Sequence, residues 1–159
     1  PDSAFPDGGV WPAEFQKPGT FTTKGKIENC DYYPEFVEGD FSGLDKDSPI
    51  LKDIKHGVPR LRGNDELPGE YSPSEALDYL CQVYKYWIAF LYLDGYRIDT
   101  VKHMDKGATR YFCSNIHEFA ESIGKRRFYL IGEITGTRQQ AFETRNVTGL
   151  DAALGIDDV

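Results

Sequence analysis

Residues 94–103 read Asp-Gly-Tyr-Arg-Ile-Asp-Thr-Val-Lys-His and place an Arg, an Asp, a Lys and a His at the end of one short predicted strand. The Asp-Gly pair indicates a turn into a short strand that carries charged residues at its end. Because alternate side chains of a strand share a face, Arg97 and Asp99 are predicted to point to the same side. A guanidinium beside a carboxylate keeps it ionised and fixes its orientation. The strand end is therefore a functional site or a structural ion pair.

A second strand, predicted over residues 128–133, also runs into a carboxylate, that of Glu133. Between the two strands, apolar residues recur at helical spacing over residues 108–123. A strand-helix-strand crossover makes the strands parallel, so Asp99 and Glu133 are expected at one edge of the sheet, about 5 Å apart if the strands are adjacent. Retaining glycosidases hold their catalytic carboxyl groups about 5 to 5.5 Å apart. This agreement favours the functional site.

The two segments resemble the strand-four and strand-five motifs of the α-amylase superfamily of glycoside hydrolases. The resemblance implies that Asp99 is the nucleophile, Glu133 the general acid/base and Arg97 the partner that orients the nucleophile. Lys102 and His103 match positions that line sugar subsites beyond the point of cleavage in that family. The Lys-His pair is more similar to α-amylases than to other branches of the superfamily.

The resemblance implies an α/β fold that forms part of a (β/α)8 TIM barrel, and residues 149–154 resemble its next strand. A complete barrel takes about 250 residues, and this chain has 159. The family's third catalytic carboxylate has no counterpart, because Asp157 and Asp158 follow the last strand too soon. We therefore expect a central fragment of a catalytic barrel.

The composition of the chain changes near residue 70. The first seventy residues contain eight of the nine prolines and nine of the sixteen glycines. This predicts an irregular, loop-rich region over residues 1–70 and the partial barrel over residues 71–159. In the α-amylase superfamily, an irregular domain is inserted between strands three and four, which is where residues 1–70 would lie.

A helix is predicted to begin just after this boundary. Ser72 is the expected N-cap, Pro73 the first helical residue and Glu75 the partner in a capping box. The helix carries a broad apolar stripe that is expected to pack on the sheet. The stripe consists of Leu77, Leu80, Cys81, Tyr84, Trp87, Ile88 and Leu91. A shorter helix is predicted near residues 138–143.

No organic cofactor is expected, and no metal site is assigned. Zinc is not expected, because the three histidines and three cysteines contain no pair with ligand spacing. Calcium, which is common in the superfamily, is a candidate for the acidic residues of the first region, although the asparagine that the family contributes from strand three is missing. These residues are Asp31, Asp40, Asp45 and Asp47.

Cys81 and Cys113 are expected to be buried free thiols, and His56 and His117 are expected to be exposed.

The charge and hydropathy of the chain exclude several partners. A net charge of −8 argues against nucleic acid and anionic membranes. No apolar run approaches the length of a membrane span, and no basic-then-apolar leader opens the chain, so a soluble protein of unassigned compartment is expected. The expected partner is an α-glucan or maltooligosaccharide. Because three barrel strands leave two open edges, a chain folded alone is expected to form a homo-oligomer.

Three functions remain open from the sequence. The first is retaining hydrolysis of α-glucosidic bonds in starch-type glucans. The second is a non-catalytic or weakly active fragment that binds oligosaccharide, since the third carboxylate is missing. The third is glucan transfer or sugar isomerisation, for which the superfamily uses the same carboxyl pair.

Overall fold

The computed structural model describes residues 13–17, 20–24, 51–63 and 65–156. Three α-helices and nine strands lie in this part of the chain. In chain order they are β1 (Phe21–Lys24), β2 (Leu51–Ile54), β3 (Gly57–Val58), β4 (Leu61–Arg62), β5 (Asp65–Glu66), β6 (Ser72–Pro73), α1 (Glu75–Leu91), β7 (Gly95–Ile98), α2 (Lys106–Ser122), β8 (Tyr129–Thr135), α3 (Arg138–Thr148) and β9 (Ala152–Ile156).

Strands β7, β8 and β9 form a parallel sheet in that order. Helix α2 connects the first two strands and α3 connects the second and third, which gives two consecutive βαβ units. The predicted adjacency of the two motif strands is confirmed, with Ile98 paired with Gly132. The predicted further strand is β9, in which Leu154 pairs with Glu133. The part of the chain described here is a mixed α/β unit that contains no closed barrel.

The two faces of the sheet differ in burial, as is seen along β8. Leu130 and Ile134 are almost completely buried. They belong to a core that also contains residues of α2, among them Cys113 and Ile116. The alternate residues of β8 are only partly buried or exposed, and Glu133 is one of them. The carboxylate that the sequence selects thus lies on the less covered face.

Helix α1 begins two residues later than predicted. Ser74, not Ser72, is the N-cap, and its hydroxyl accepts a hydrogen bond from the Leu77 backbone N–H at 3.2 Å. The same hydroxyl donates to the Lys55 carbonyl at 2.6 Å. Ser72 instead belongs to β6, which pairs antiparallel with β3. A strand pairing with a distant segment therefore overrides the local capping signal.

The predicted apolar stripe of α1 is only partly buried. Cys81 and Ile88 lie in the interior, whereas Trp87 is 41% exposed and Leu91 55% exposed. The stripe therefore does not pack along its full length, because α2 is the main neighbour of α1 within the residues described. No helix among them is both long enough and apolar enough to cross a membrane.

Lys125 joins the end of α1 to the start of the sheet. Its ammonium group donates to the Tyr92 carbonyl at 2.9 Å and to Asp94 at 2.7 Å. The same group lies 3.5 Å from the centre of the Tyr92 ring. Tyr92, with φ of 54°, is the left-handed residue that ends α1. The predicted Asp-Gly turn is thus replaced by a turn at Tyr92, and Gly95 is the first residue of β7.

His117 is not the isolated surface residue that the sequence predicts. Its ring nitrogen lies 2.9 Å from the Asp151 carboxylate, and its side chain is 34% exposed. The same carboxylate oxygen accepts a hydrogen bond from the Leu130 backbone N–H at 2.7 Å. His117 therefore helps to tie α2 to the segment that enters β9. His56 is half-buried, which also departs from the prediction.

Cys81 and Cys113 are free and buried, as predicted. Burial raises the pKa of Cys81 to about 11 and that of Cys113 to about 12. Because the thiolate is the reactive form, we expect neither residue to react with iodoacetamide in the native chain at about pH 8, where an ordinary thiol is partly ionised. Peptide mass spectrometry after labelling checks this. Labelling in denaturant is the control, and native labelling as rapid as in denaturant would contradict the burial.

Candidate active site

The site lies where β7 and β8 end. Since Ile98 pairs with Gly132, the next residues along the two strands, Asp99 and Glu133, are neighbours at the carboxyl edge of the sheet. Adjacent strands are separated by about 4.8 Å, so their carboxyl groups reach one another. The juxtaposition that the crossover predicts is therefore present.

Arg97 contacts both carboxylates. Its Nη1 lies 3.1 Å from Oδ1 of Asp99, and its Nη2 lies 3.1 Å from Oε1 of Glu133. The sequence predicts only the first of these two contacts. The Glu133 side chain is 17% exposed, whereas that of Asp99 is 66% exposed. Glu133 is therefore partly buried, whereas Asp99 is largely exposed to solvent.

The environment of Asp99 favours its ionised form. The hydrogen bond with Glu133, and then the charge and hydrogen bond of Arg97, hold the pKa of the Asp99 carboxyl below its ordinary value. A hydrogen bond between two carboxyl groups requires one proton. Such a pair can supply a nucleophile and a proton donor side by side.

Replacing Arg97 with glutamine is expected to raise the pKa of Asp99 towards its ordinary value of about 3.9. The guanidinium stabilises the carboxylate, so without it Asp99 stays protonated to a higher pH. A carbon-13 carboxyl titration of the chain by NMR measures this shift, and the acid limb of any hydrolysis profile should move in the same direction. Arg127→Gln, at the exposed position before β8, is the matched control. An unchanged Asp99 titration in Arg97→Gln would contradict the ion pair.

Thr100 is part of the site, although the sequence gives no sign of it. Its backbone N–H donates to Oε2 of Glu133 at 3.3 Å. The backbone of Thr100 is left-handed, with φ of 49° and ψ of 38°. Threonine is a β-branched residue that seldom adopts this conformation, so residue type could not have identified it.

The two residues predicted to bind sugar lie in the short 3-10 turn Val101–His103, directly after the nucleophile candidate. Lys102 is 7% exposed. Its Nζ lies close to the loop after β8, since a Cβ built on Gly136 would be 4.0 Å from this nitrogen. The loops that follow β7 and β8 therefore meet at Lys102. The backbone of His103 belongs to the turn, and its side chain lies outside the described part.

Within the described residues, no group of three or more His, Cys, Asp or Glu side chains has the arrangement of a metal site. The four acidic residues named as calcium candidates lie outside this part of the chain, as do Asp157 and Asp158.

Comparison with known proteins supports the motif resemblance. No protein-family model matches the chain. The chain is 34% identical over 80 residues to a cyclomaltodextrin glucanotransferase of Klebsiella oxytoca, a match that covers 50% of this chain and 11% of that protein. It is 28% identical over 123 residues to an α-amylase of Streptomyces lividans, covering 77% of this chain and 10% of that protein. The chain is related to the α-amylase family. This α-amylase-related chain spans about a tenth of the length of the two relatives.

Solved structures of α-amylases are also similar to parts of this α-amylase-related chain. An Anoxybacillus α-amylase matches 52% of this chain and 17% of its own, with 32% identity and a TM-score of 0.46. The Geobacillus thermoleovorans α-amylase in complex with acarbose matches 53% of this chain and 19% of its own, with 27% identity and a TM-score of 0.43.

Proposed function

We propose that this chain carries the catalytic pair of a retaining glycoside hydrolase that acts on α-glucosidic bonds of starch-type glucans. The observation that carries the proposal is the Arg97 guanidinium, which contacts Asp99 and Glu133 at the ends of adjacent parallel strands. The lowered pKa of Asp99 supports its role as the nucleophile. Glu133, less exposed and hydrogen-bonded to Asp99, is suited to be the acid/base.

The proposed reaction is a double displacement. Asp99 attacks the anomeric carbon and forms a glycosyl ester while the bond to the leaving oxygen breaks, and Glu133 transfers its proton to that oxygen. Water then attacks the anomeric carbon, Glu133 takes a proton from the water, and the ester bond to Asp99 breaks. Both residues end in their starting protonation states. Arg97 keeps Asp99 ionised and oriented before attack.

The proposal assigns the sheet and helices to a partial (β/α)8 barrel, with β7 and β8 as its strands four and five. Residues 1–70 are then the inserted irregular region and residues 71–159 the barrel segment. Lys102 and His103 bind sugar rings beyond the point of cleavage. The support for this placement is the position of the turn Val101–His103 at the carboxyl edge, where barrel enzymes bind their substrates.

Glucan transfer is the second candidate, and the relatives favour it over sugar isomerisation. The relative with 34% identity is named a cyclomaltodextrin glucanotransferase. The chemistry differs only in the last step, in which the hydroxyl of another sugar, not water, attacks the glycosyl ester. Product analysis of a maltooligosaccharide reaction distinguishes the two, because transfer gives products longer than the substrate.

A non-catalytic fragment that binds oligosaccharide is the remaining candidate. The exposure of Asp99 and Arg97, 66% and 53% of their side chains, favours it, since catalytic electrostatics are strongest where water is excluded. Among the described strands, β7 and β9 are also the edges of the parallel sheet. Pairing of these edges between copies would produce a homo-oligomer. Light scattering after gel filtration tests the assembly.

Glu133→Gln is expected to lower any hydrolysis of starch or maltooligosaccharides by about 10²- to 10⁴-fold, because the glutamine amide is too weak an acid to donate a proton and too weak a base to accept one. Release of reducing ends by the purified chain and the variant measures the effect. Glu143→Gln is the matched control, since Glu143 is exposed on α3 and contacts Gln139. Equal activity of Glu133→Gln and the parent chain would refute the assignment. No activity in either, with oligosaccharide binding retained, would support the binding fragment instead.

A further inference from the structure

Thr100 has a backbone conformation that its own residue type disfavours. Only two non-glycine residues in the described part of the chain have positive φ, Tyr92 and Thr100. Tyr92 ends helix α1, where a left-handed residue is common. Thr100 follows a strand and is the N-cap of a 3-10 turn, a position at which a left-handed backbone is unusual. Such strained residues persist where surrounding structure imposes them, and they are frequent at functional sites.

The conformation of Thr100 gives Glu133 its second hydrogen-bond donor. Oε1 of Glu133 contacts Arg97, and Oε2 accepts the hydrogen bond from the Thr100 N–H. Each oxygen of the carboxyl group is thus held by one donor from β7 or from the residues directly after it. With both oxygens held, the plane of the carboxyl group is fixed relative to Asp99.

The turn after Thr100 is held in place by packing on Gly132. Val101 is 1% exposed and lies above this glycine. A Cβ built on Gly132 would lie 3.0 Å from Cγ2 of Val101 and 2.6 Å from Cδ1 of Leu150. The Met104 N–H closes the turn by donating to the Val101 carbonyl at 3.1 Å. Because Gly132 has no side chain, Val101 packs directly on it. This packing fixes the backbone of the preceding residue, Thr100.

We propose that Thr100 is a positioning residue: its left-handed backbone, held by the packing of Val101 on Gly132, aims its N–H at Glu133 and fixes the carboxyl group for proton transfer. The role in proton transfer rests on the proposed function. The geometry itself is independent of it, so the two can fail separately. The charged groups that contact the Glu133 carboxyl in the described structure are Arg97 and Asp99.

The test follows the Thr100 amide proton of the nitrogen-15-labelled chain by NMR as the pH is changed. An amide proton that donates to a carboxyl group moves downfield when that group ionises, because the hydrogen bond becomes charge-assisted. We expect this movement in the parent chain, in Asp99→Asn and in Glu143→Gln, and its loss in Glu133→Gln. Thr100→Gly should retain it, since glycine adopts the left-handed conformation without strain.

Gly132→Ala is the variant that separates positioning from simple proximity. The added methyl group displaces Val101 or Leu150, so the amide of residue 100 should no longer follow the titration of Glu133. The proposal would be overturned if the chemical shift of the Thr100 amide proton did not change with pH, or if it changed equally in Glu133→Gln. Should Gly132→Ala fail to fold, the comparison of the parent chain with Glu133→Gln still decides. If the amide responds as expected and the chain hydrolyses no glucan, the proposed function fails while the positioning geometry stands.

Discussion

Replacing Asp99 with asparagine is expected to lower hydrolysis of maltooligosaccharides by on the order of 10⁴-fold or more, the scale of loss when a covalent nucleophile is removed. The amide nearly matches the carboxyl group in shape but does not form the glycosyl ester. Because the Asp99 side chain is 66% exposed, the substitution should leave the fold unchanged. Initial rates, with circular dichroism to compare the folds, measure both effects. Glu143→Gln, at an exposed position of α3, is the control.

A substrate that needs no proton transfer separates the roles of the two acids. Fluoride leaves a sugar without protonation, so α-maltosyl fluoride should form the glycosyl ester in Glu133→Gln. Without the base, water attacks the ester slowly, and mass spectrometry should detect an adduct on the peptide that contains Asp99. Asp99→Asn should form none. An adduct in Asp99→Asn, or one on another residue of the parent chain, would show that the nucleophile is misassigned.

Replacing Gly95 with alanine is expected to lower the free energy of unfolding by about 1–3 kcal/mol, as overpacking of a tight site does. A Cβ built on Gly95 would lie 2.4 Å from the carbonyl oxygen of Tyr129, its register partner in β8. The obstacle is backbone, so no side chain can rotate away, and β7 must shift against β8. Urea unfolding followed by fluorescence measures the loss.

Gly69→Ala is the matched control for this substitution. A Cβ built on Gly69 has no heavy atom within 4 Å among its non-adjacent neighbours. Its effect should therefore stay within about 0.5 kcal/mol, as for other surface positions. Equal unfolding midpoints for the two alanine variants would contradict the close approach of β7 and β8 at Gly95.

Much of the sheet and the placement of the two acids follow from local signals. The periodicity between the strands predicts α2, and the parallel crossover then brings Asp99 and Glu133 to the same edge. Both inferences use residues close together in the chain. Arg97 follows from alternation along one strand, although its second contact with Glu133 depends on how its side chain extends across to β8.

What the sequence could not predict depends on distant contacts. Ser72 carries a capping signal, yet its pairing with β3 moves the start of α1 to Glu75. The exposure of Trp87 depends on which elements cover α1. The periodicity of apolar residues along one helix carries no information about those elements. Thr100 is left-handed because Val101 packs over Gly132, against the preference of its own side chain.

The carboxyl ends and the amino ends of the parallel strands differ in the substitutions that they tolerate. Residues 99–105 and 136–137 lie at the carboxyl ends of the strands with the candidate catalytic pair, so under the proposed function exposed side chains there contact the substrate. Lys125 and Asp151 fasten the amino edge, where substitutions change stability and leave the carboxyl pair in place. Under the proposed function, selection for a new glucan therefore acts at the carboxyl ends of the strands and leaves the contacts at their amino ends in place. A library at the carboxyl ends of the strands should therefore keep Asp99, the proposed nucleophile, and the buried residues Val101 and Asp105 unchanged.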